Sequence, residues 1–265
     1  MQVVTEYPDG MFSWVDLTTT DAQAAKTFYS ELFGWEVEER PIPHGGVYLM
    51  MKIDGKNVAG MGDMPPEMKE QGMPSVWTSY IKHDDVDGVA KKIAEAGGTP
   101  MGEPMDVMEE GRMLWAQDPT GASFGVWQPK NHIGAELVNR PNTLIWNELQ
   151  TRDKAGAEAF YSAVFGWSSS SDETGYGMFA IGDRVQAGVL AMDESFGPIP
   201  PNWSVYFMVE DVDAAVEKAK TLGAAVHVPP TSAGEMGKFS TLADPTGAVF
   251  VVMQFNGEVD APPGL

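Results

Sequence analysis

Two short segments of this 265-residue chain place a tryptophan two residues ahead of a carboxylate: Trp14-Val15-Asp16 and Trp146-Asn147-Glu148. On an extended strand, residues i and i+2 face the same way, so each pair sets an indole beside an anionic oxygen. Such a pair can receive a flat or cationic small molecule by stacking, cation–π attraction and ion pairing. The same carboxylates, Asp16 or Glu148, could serve as general base or acid, with Tyr80 or Tyr206 as proton donor. Lys82 could pair with Asp16, whereas its counterpart is Met208, so the second site is expected to favour cations more strongly.

Other chemistries are excluded by composition. With no cysteine there is no disulfide framework, thiol nucleophile or thiolate zinc site. The four histidines, His44, His83, His132 and His227, are scattered, and the expected role of each is surface or structural. Thirty-eight acidic against 17 basic side chains give a formal net charge of −21, which repels nucleic-acid backbones and anionic membranes. No apolar run reaches the ~18 residues of a membrane span, and the first residues do not read as a signal peptide. A cytoplasmic location is expected.

The elements that must hold these residues occur twice. WVDLTTTDAQAAKTFYSELFGW (14–35) returns as WNELQTRDKAGAEAFYSAVFGW (146–167), an offset of 132. Further on, WTSYIKHDDVDGVAKKIAEAGG (77–98) returns at 203–224, and Asp118-Pro119-Thr120-Gly121 returns as Asp244-Pro245-Thr246-Gly247, an offset of 126. The second copy has thus lost six residues net, and deletions of that kind usually sit in loops. The expected layout is an N-terminal extension (1–10), a first domain (11–128), a linker (129–142), a second domain (143–256) and a loose Pro-rich tail (257–265). Within each domain an alternating strand meets Asp21 or its copy as N-cap, then a helix with an apolar stripe ended by glycine. Strands at 47–53 and 58–61, a second strand and helix, and two final strands around the Asp-Pro-Thr-Gly turn complete a β-α-β-β-β pattern, twice per domain.

In order and in duplicate, the Phe28-Tyr29 and Phe33-Gly34-Trp35 segments, Asp85-Val86-Asp87 and the Asp-Pro-Thr-Gly turn resemble the vicinal oxygen chelate superfamily. That family includes glyoxalases, extradiol dioxygenases and bleomycin-binding proteins. The opening Trp-Val-Asp-Leu and the joining His132-Ile133-Gly134-Ala135 resemble its actinobacterial tandem-domain members, a group that includes a mycobacterial 27 kDa antigen. The resemblance implies an α+β fold: two tandem glyoxalase-like domains, each of two βαβββ modules forming a curled mixed sheet with helices outside. It also implies a divalent ion held by His, Gln or Glu from the strands. Here the matching positions are Trp14, Thr78 and Gly125, with Trp146, Ser204 and Val251 in the copy, so neither a metal nor another cofactor is expected. Counted by alternation from those positions, the ligand-lining set that the resemblance implies is Trp14, Asp16, Thr78, Tyr80 and Trp127, with Trp146, Glu148, Ser204, Tyr206 and Met253 in the copy. The leading expectation is a metal-independent protein that binds a small aromatic or cationic metabolite or antibiotic, a monomer with an internal pseudo-dimer or a weak homodimer. The rivals are a glyoxalase-like lyase or isomerase, and a secreted or surface interaction protein with vestigial cavities.

Overall fold

A computed structural model describes residues 3–43 and 45–257; His44 and the tail from 258 onward lie outside the described residues. The first domain runs β1 (Phe12–Thr19), α1 (Ala22–Phe33), β2 (Glu36–Pro41), β3 (Val47–Ile53), β4 (Lys56–Asp63), α2 (Pro66–Glu70), β5 (Val76–Lys82), α3 (Val86–Glu95), β6 (Thr99–Pro100), β7 (Met105–Val107), β8 (Gly111–Gln117) and β9 (Ser123–Pro129). The second runs β10 (Leu144–Thr151), α4 (Lys154–Phe165), β11 (Ser168–Ser171), β12 (Gly177–Ile181), β13 (Arg184–Ala191), β14 (Asn202–Met208), α5 (Val212–Thr221), β15 (Ala225–Ser232), β16 (Gly237–Ala243) and β17 (Val249–Phe255).

Local signals set the helix ends. Asp21 Oδ1 accepts from the Ala24 N–H at 2.9 Å, and Gly34 ends α1 at φ 72°; Asp153 and Gly166 repeat both devices around α4. The strands form one mixed sheet per domain, ordered β2-β3-β4-β1-β5-β9-β8-β6, with β7 also on β8, and β11-β12-β13-β10-β14-β17-β16-β15. At the centre β1 and β5 are antiparallel, and each has a parallel neighbour on its other side, β4 and β9. Each first strand carries a bulge, between Phe12 and Trp14 and between Leu144 and Trp146. The bulge breaks alternation, so Phe12 turns toward Trp203 of the other domain (ring centroids 4.9 Å apart) while Trp14 takes the opposite, outward face.

The inward faces make a core that belongs to neither domain alone. Helix α1 lies against α5, and α3 against α4. One apolar cluster joins β1 and α1 to Val205, Phe207, Val216 and Phe250; another joins Ile81, Val89 and Phe124 to Phe160, Tyr161 and Trp167. Where β5 meets the other domain, the buried Ser79 hydroxyl donates to Asn147 Oδ1 at 2.6 Å; the repeat-related pair, Val205 and Val15, is apolar.

The repeated Tyr, Trp and Asp-Pro-Thr-Gly residues close this junction. Asp118 Oδ1 accepts from Thr120 N, Thr120 Oγ1 and Ala122 N, forming its turn, while Oδ2 accepts from the Tyr161 hydroxyl at 3.2 Å. Tyr161 in turn accepts from Trp203 Nε1 at 2.7 Å. Reciprocally, Trp77 Nε1 donates to Tyr29 at 2.8 Å, and burial together with the charge of Asp244 pushes the Tyr29 phenol well above its ordinary pKa.

Because both cores are shared, the two domains should unfold in one transition, with calorimetric and van't Hoff enthalpies equal. Tyr161→Phe leaves Trp203 Nε1 and Asp118 Oδ2 buried without a partner and should cost about 1–3 kcal/mol in urea unfolding. Two separate transitions would show that the domains are independent.

Candidate functional site

The outward faces carry the residues singled out by chemistry. In the first domain, Trp14 Nε1 donates to the Tyr48 hydroxyl at 3.1 Å, and Tyr48 donates to Asp16 Oδ2 at 3.2 Å. Tyr80, across from Trp14 in register, donates to the same oxygen at 3.3 Å and accepts from Trp115 Nε1 at 2.9 Å. Asp16 Oδ1 is shut from solvent and has no hydrogen-bond partner among the described residues. Burial pushes the Asp16 carboxyl up to about 7, against the pull of its two tyrosine donors, and burial and the Asp16 charge push Tyr48 and Tyr80 well above the ordinary phenol range. Glycines make room for these rings: a Cβ on Gly60 would lie 1.8 Å from the Tyr48 oxygen, and one on Gly125 2.1 Å from Tyr80 Cδ1.

In the second domain, Glu148 is buried and fully partnered. Its Oε1 accepts from Tyr206 at 2.9 Å and Gln150 Nε2 at 3.1 Å, its Oε2 from Tyr176 at 2.8 Å, and Trp146 Nε1 donates to Tyr176 at 3.1 Å. Gly188 is the cradle here, with the Tyr176 oxygen 1.9 Å from where a Cβ would stand. Burial and the Glu148 charge push the Tyr206 phenol well up.

The structure brings Trp14, Asp16 and Tyr80 into one cluster, and Trp146, Glu148 and Tyr206 into another. Thr78 and Ser204 are half-buried and lie across from Asp16 and Glu148 in register, but Ser204 donates to Asn202 instead. Trp127 stands beyond Trp14, with His132 against both rings at 5.7 and 4.4 Å. Met253 packs with Tyr206, Val251 and the half-buried Trp146. Lys82 does not pair with Asp16: it is held by Asp9 at 2.7 Å and Asp84 at 2.8 Å, so the contrast with Met208 sets no cation preference.

Sequence reasoning passed over Tyr48, Tyr176, Trp115 and the cluster role of His132. Tyr48 and Tyr176 are related by an offset of 128, between the two repeat offsets, which hides them as a pair. Trp115 has no aromatic copy, since Thr241 stands at the related position. His132 lies in a joining segment that is itself packed: Ala135 N donates to Ser13 O, and the Trp127 indole donates to His132 O. Burial, helped by the Arg40 charge, pushes the His132 imidazole down to about 4, so it is neutral at pH 7.

Among the described residues no three His, Asp or Glu side chains gather as a metal site. Each cluster offers one carboxylate and two neutral phenols, and that donor set does not fit a resident divalent ion, which takes several carboxylate or imidazole donors. Among the described residues no helix is long and apolar enough to cross a membrane.

Paired β-α-β-β-β modules around a central antiparallel strand pair define a glyoxalase-type α+β protein built from two tandem domains. Residues 11–126 match the Glyoxalase/Bleomycin resistance protein/Dioxygenase superfamily and residues 147–253 match a Glyoxalase-like domain, and the chain belongs to this superfamily. It is similar to the protein named "Putative glyoxylase CFP32" of Mycobacterium tuberculosis, with 44% identity over 94% of this chain and 97% of that one. It is also similar to "Anthracycline biosynthesis protein DnrV" of Streptomyces peucetius, with 35% identity over 98% and 99%. Among solved structures, the Mn(II)-bound glyoxalase of Novosphingobium aromaticivorans superposes with TM-score 0.64 at 18% identity, covering 96% of this chain and 85% of that one. The 2,3-dioxygenase LapB of Pseudomonas sp. KL28 gives 0.62 at 15%, covering 96% and 95%. At such identities the likeness is one of fold.

The raised Asp16 pKa has a stability consequence. Between about pH 4 and pH 7 folded Asp16 keeps a proton that the unfolded chain has released, so folding stability falls as pH rises through that window and levels off above it. Asp16→Asn should therefore be more stable than the wild type at pH 8, by up to about 4 kcal/mol, and equal to it near pH 4. Urea unfolding at both pH values measures this; a variant less stable at pH 8 would mean that the anion is well accommodated.

Proposed function

We propose that this protein is a metal-independent binder of a small aromatic molecule, held at the outward face of one or both domains. The observation that carries the reading is the repeated cluster in which an indole and two phenols surround a single carboxylate, an aromatic wall with one polar anchor. The name of the 35%-identical Streptomyces relative, an anthracycline biosynthesis protein, supports an aromatic ligand, since anthracyclines are polycyclic aromatic compounds. The donor set supports independence from metals. The protein works in the cytoplasm as a monomer whose domains form an internal pseudo-dimer, without nucleic-acid partners, as its charge of −21 favours.

A second reading, a glyoxalase-like lyase or isomerase, is favoured by Asp16 alone. A carboxyl with pKa about 7 and an unpartnered oxygen suits proton transfer at neutral pH, with Tyr80 as donor. Under it, turnover should follow a group ionising near pH 7, and Asp16→Asn should lower kcat at least a hundredfold.

For the binding reading, chelator-treated protein should quench its tryptophan emission on titration with an aromatic ligand, with the same Kd before and after EDTA. Elemental analysis should find well under one divalent ion per domain. Binding that returns only on adding a divalent ion would overturn the metal-independent reading.

A further inference from the structure

The two outward faces share their centre but not their rim. On β8, Met113 and Trp115 lie on the Tyr80 side of the sheet, and Met105 of β7 stands directly across from Met113. Trp115 is 40% exposed and Met105 52%, and the nearby Met101 and Met108 are 49% and 44% exposed. The repeat-related positions in the second domain are Thr241, Thr231, His227 and Gly234, and Met113 is matched by Phe239, which is half-buried against the Tyr206 cluster. A surface of one indole and several thioethers, polarisable and adaptable, therefore stands in the first domain only. It is continuous with the deeper cluster: two hydrogen bonds, 2.9 and 3.3 Å long, join Trp115 Nε1 through the Tyr80 hydroxyl to Asp16 Oδ2. Basic groups beside the rim are already paired, Arg112 with Asp87 and Asp106, and Lys130 with Asp106. The deep carboxyl faces the rim only through the Tyr80 hydroxyl.

We propose that the first domain alone carries the ligand site, that Trp115 and Met105 form its stacking floor, and that its ligand is a flat, multi-ring aromatic compound without an anionic group. The second domain's cluster, with every Glu148 oxygen satisfied from within, is a structural counterpart that holds no ligand. This rests on the binding reading above and narrows it to one face and one ligand class. A flat ring laid on an exposed indole gains dispersion and stacking without having to open the hydrogen-bonded cluster behind it. The basic groups at the rim are already paired while Glu103 and Glu109 stand exposed on the segments that carry its methionines, which is why a ligand without an anionic group is selected over an anion.

The test uses the full chain with a matched pair of three-ring probes, neutral 9-anthracenemethanol and anionic 9-anthracenecarboxylate, by calorimetry and tryptophan quenching at physiological salt. The wild type should bind one neutral probe per chain, and more tightly than the anionic one. Trp115→Thr and Met105→Thr, which install the residues of the second domain, should each weaken binding, Trp115→Thr at least tenfold. Trp146→Phe should stay within twofold. Trp115 and Met105 are exposed, so both variants should keep the wild-type circular dichroism and Tm; Met105→Thr also leaves the Trp115–Tyr80 hydrogen bond in place. Binding lost in Trp146→Phe but kept in both rim variants would overturn this assignment and leave the binding reading standing. A tenfold preference for the anionic probe would overturn the ligand class. If the wild type binds neither probe, the binding reading for aromatic ligands fails along with it. A dimer in sedimentation that Trp115→Thr abolishes would identify the rim as a contact between copies and overturn the proposal.

Discussion

Everything on the outward faces depends on one hydrogen-bonded chain inside, in which the Tyr161 phenol accepts from Trp203 of its own domain and donates to Asp118 of the other. A buried phenol needs partners, and this one finds its acceptor only when the two domains are docked. The Asp118 carboxylate is already committed, through its other oxygen, to shaping the turn that precedes β9. Strand order and domain docking are thereby fixed by the same side chain. Tyr29 and Trp77 face Asp244 in the related arrangement, though Asp244 Oδ2 is left without a partner. The junction is therefore symmetric in plan and unequal in completion.

Docking by the inward faces leaves the outward faces free to diverge. Selection on core packing acts on Phe28, Phe160, Phe207 and Phe250, which are buried between the domains and have no access to solvent. The outward rows carry no such constraint beyond filling their own space. That explains why the two halves agree closely in the strand–helix blocks and disagree at Trp115 and Thr241, or at Met105 and Thr231. The polar pair Ser79–Asn147, set against Val15 and Val205, also distinguishes the two otherwise similar docking contacts.

The elements legible in the sequence were those with an internal signal. Asp21, Asp153, Gly34 and Gly166 announce helix ends, and the strand at 47–53 is an apolar run broken only by Lys52. Strands β2 and β11 were not located. EVEERP carries charge on both sides of an edge, and SSSS is exposed throughout, so neither has a hydrophobic period to read. Of the outward clusters, the indole and carboxylate followed from alternation, and the central tyrosine from alternation counted from the positions that the family resemblance marks. Tyr48 and Tyr176 did not, because they reach the carboxylate from a hairpin and a loop whose register depends on how many residues the repeat has lost. His132 was assigned to a connector, yet the connector packs along β1 and carries the imidazole onto Trp14.

The remaining asymmetry comes down to one methylene group. Glu148 is long enough to offer one oxygen to Tyr176 and the other to Tyr206 and Gln150, so its charge is spread over three donors at 2.8 to 3.1 Å. Asp16 is shorter and meets both of its tyrosines with the same oxygen, at 3.2 and 3.3 Å, which leaves Oδ1 buried and idle. A buried carboxylate with one oxygen unsatisfied is costly as an anion, and a proton relieves that cost. The shorter side chain thus leaves Asp16 a carboxyl that burial pushes up to about 7. The Trp115 indole, absent from the other domain, then links that group through Tyr80 to the surface. Both departures from the repeat fall in the same domain and along the same hydrogen-bonded line.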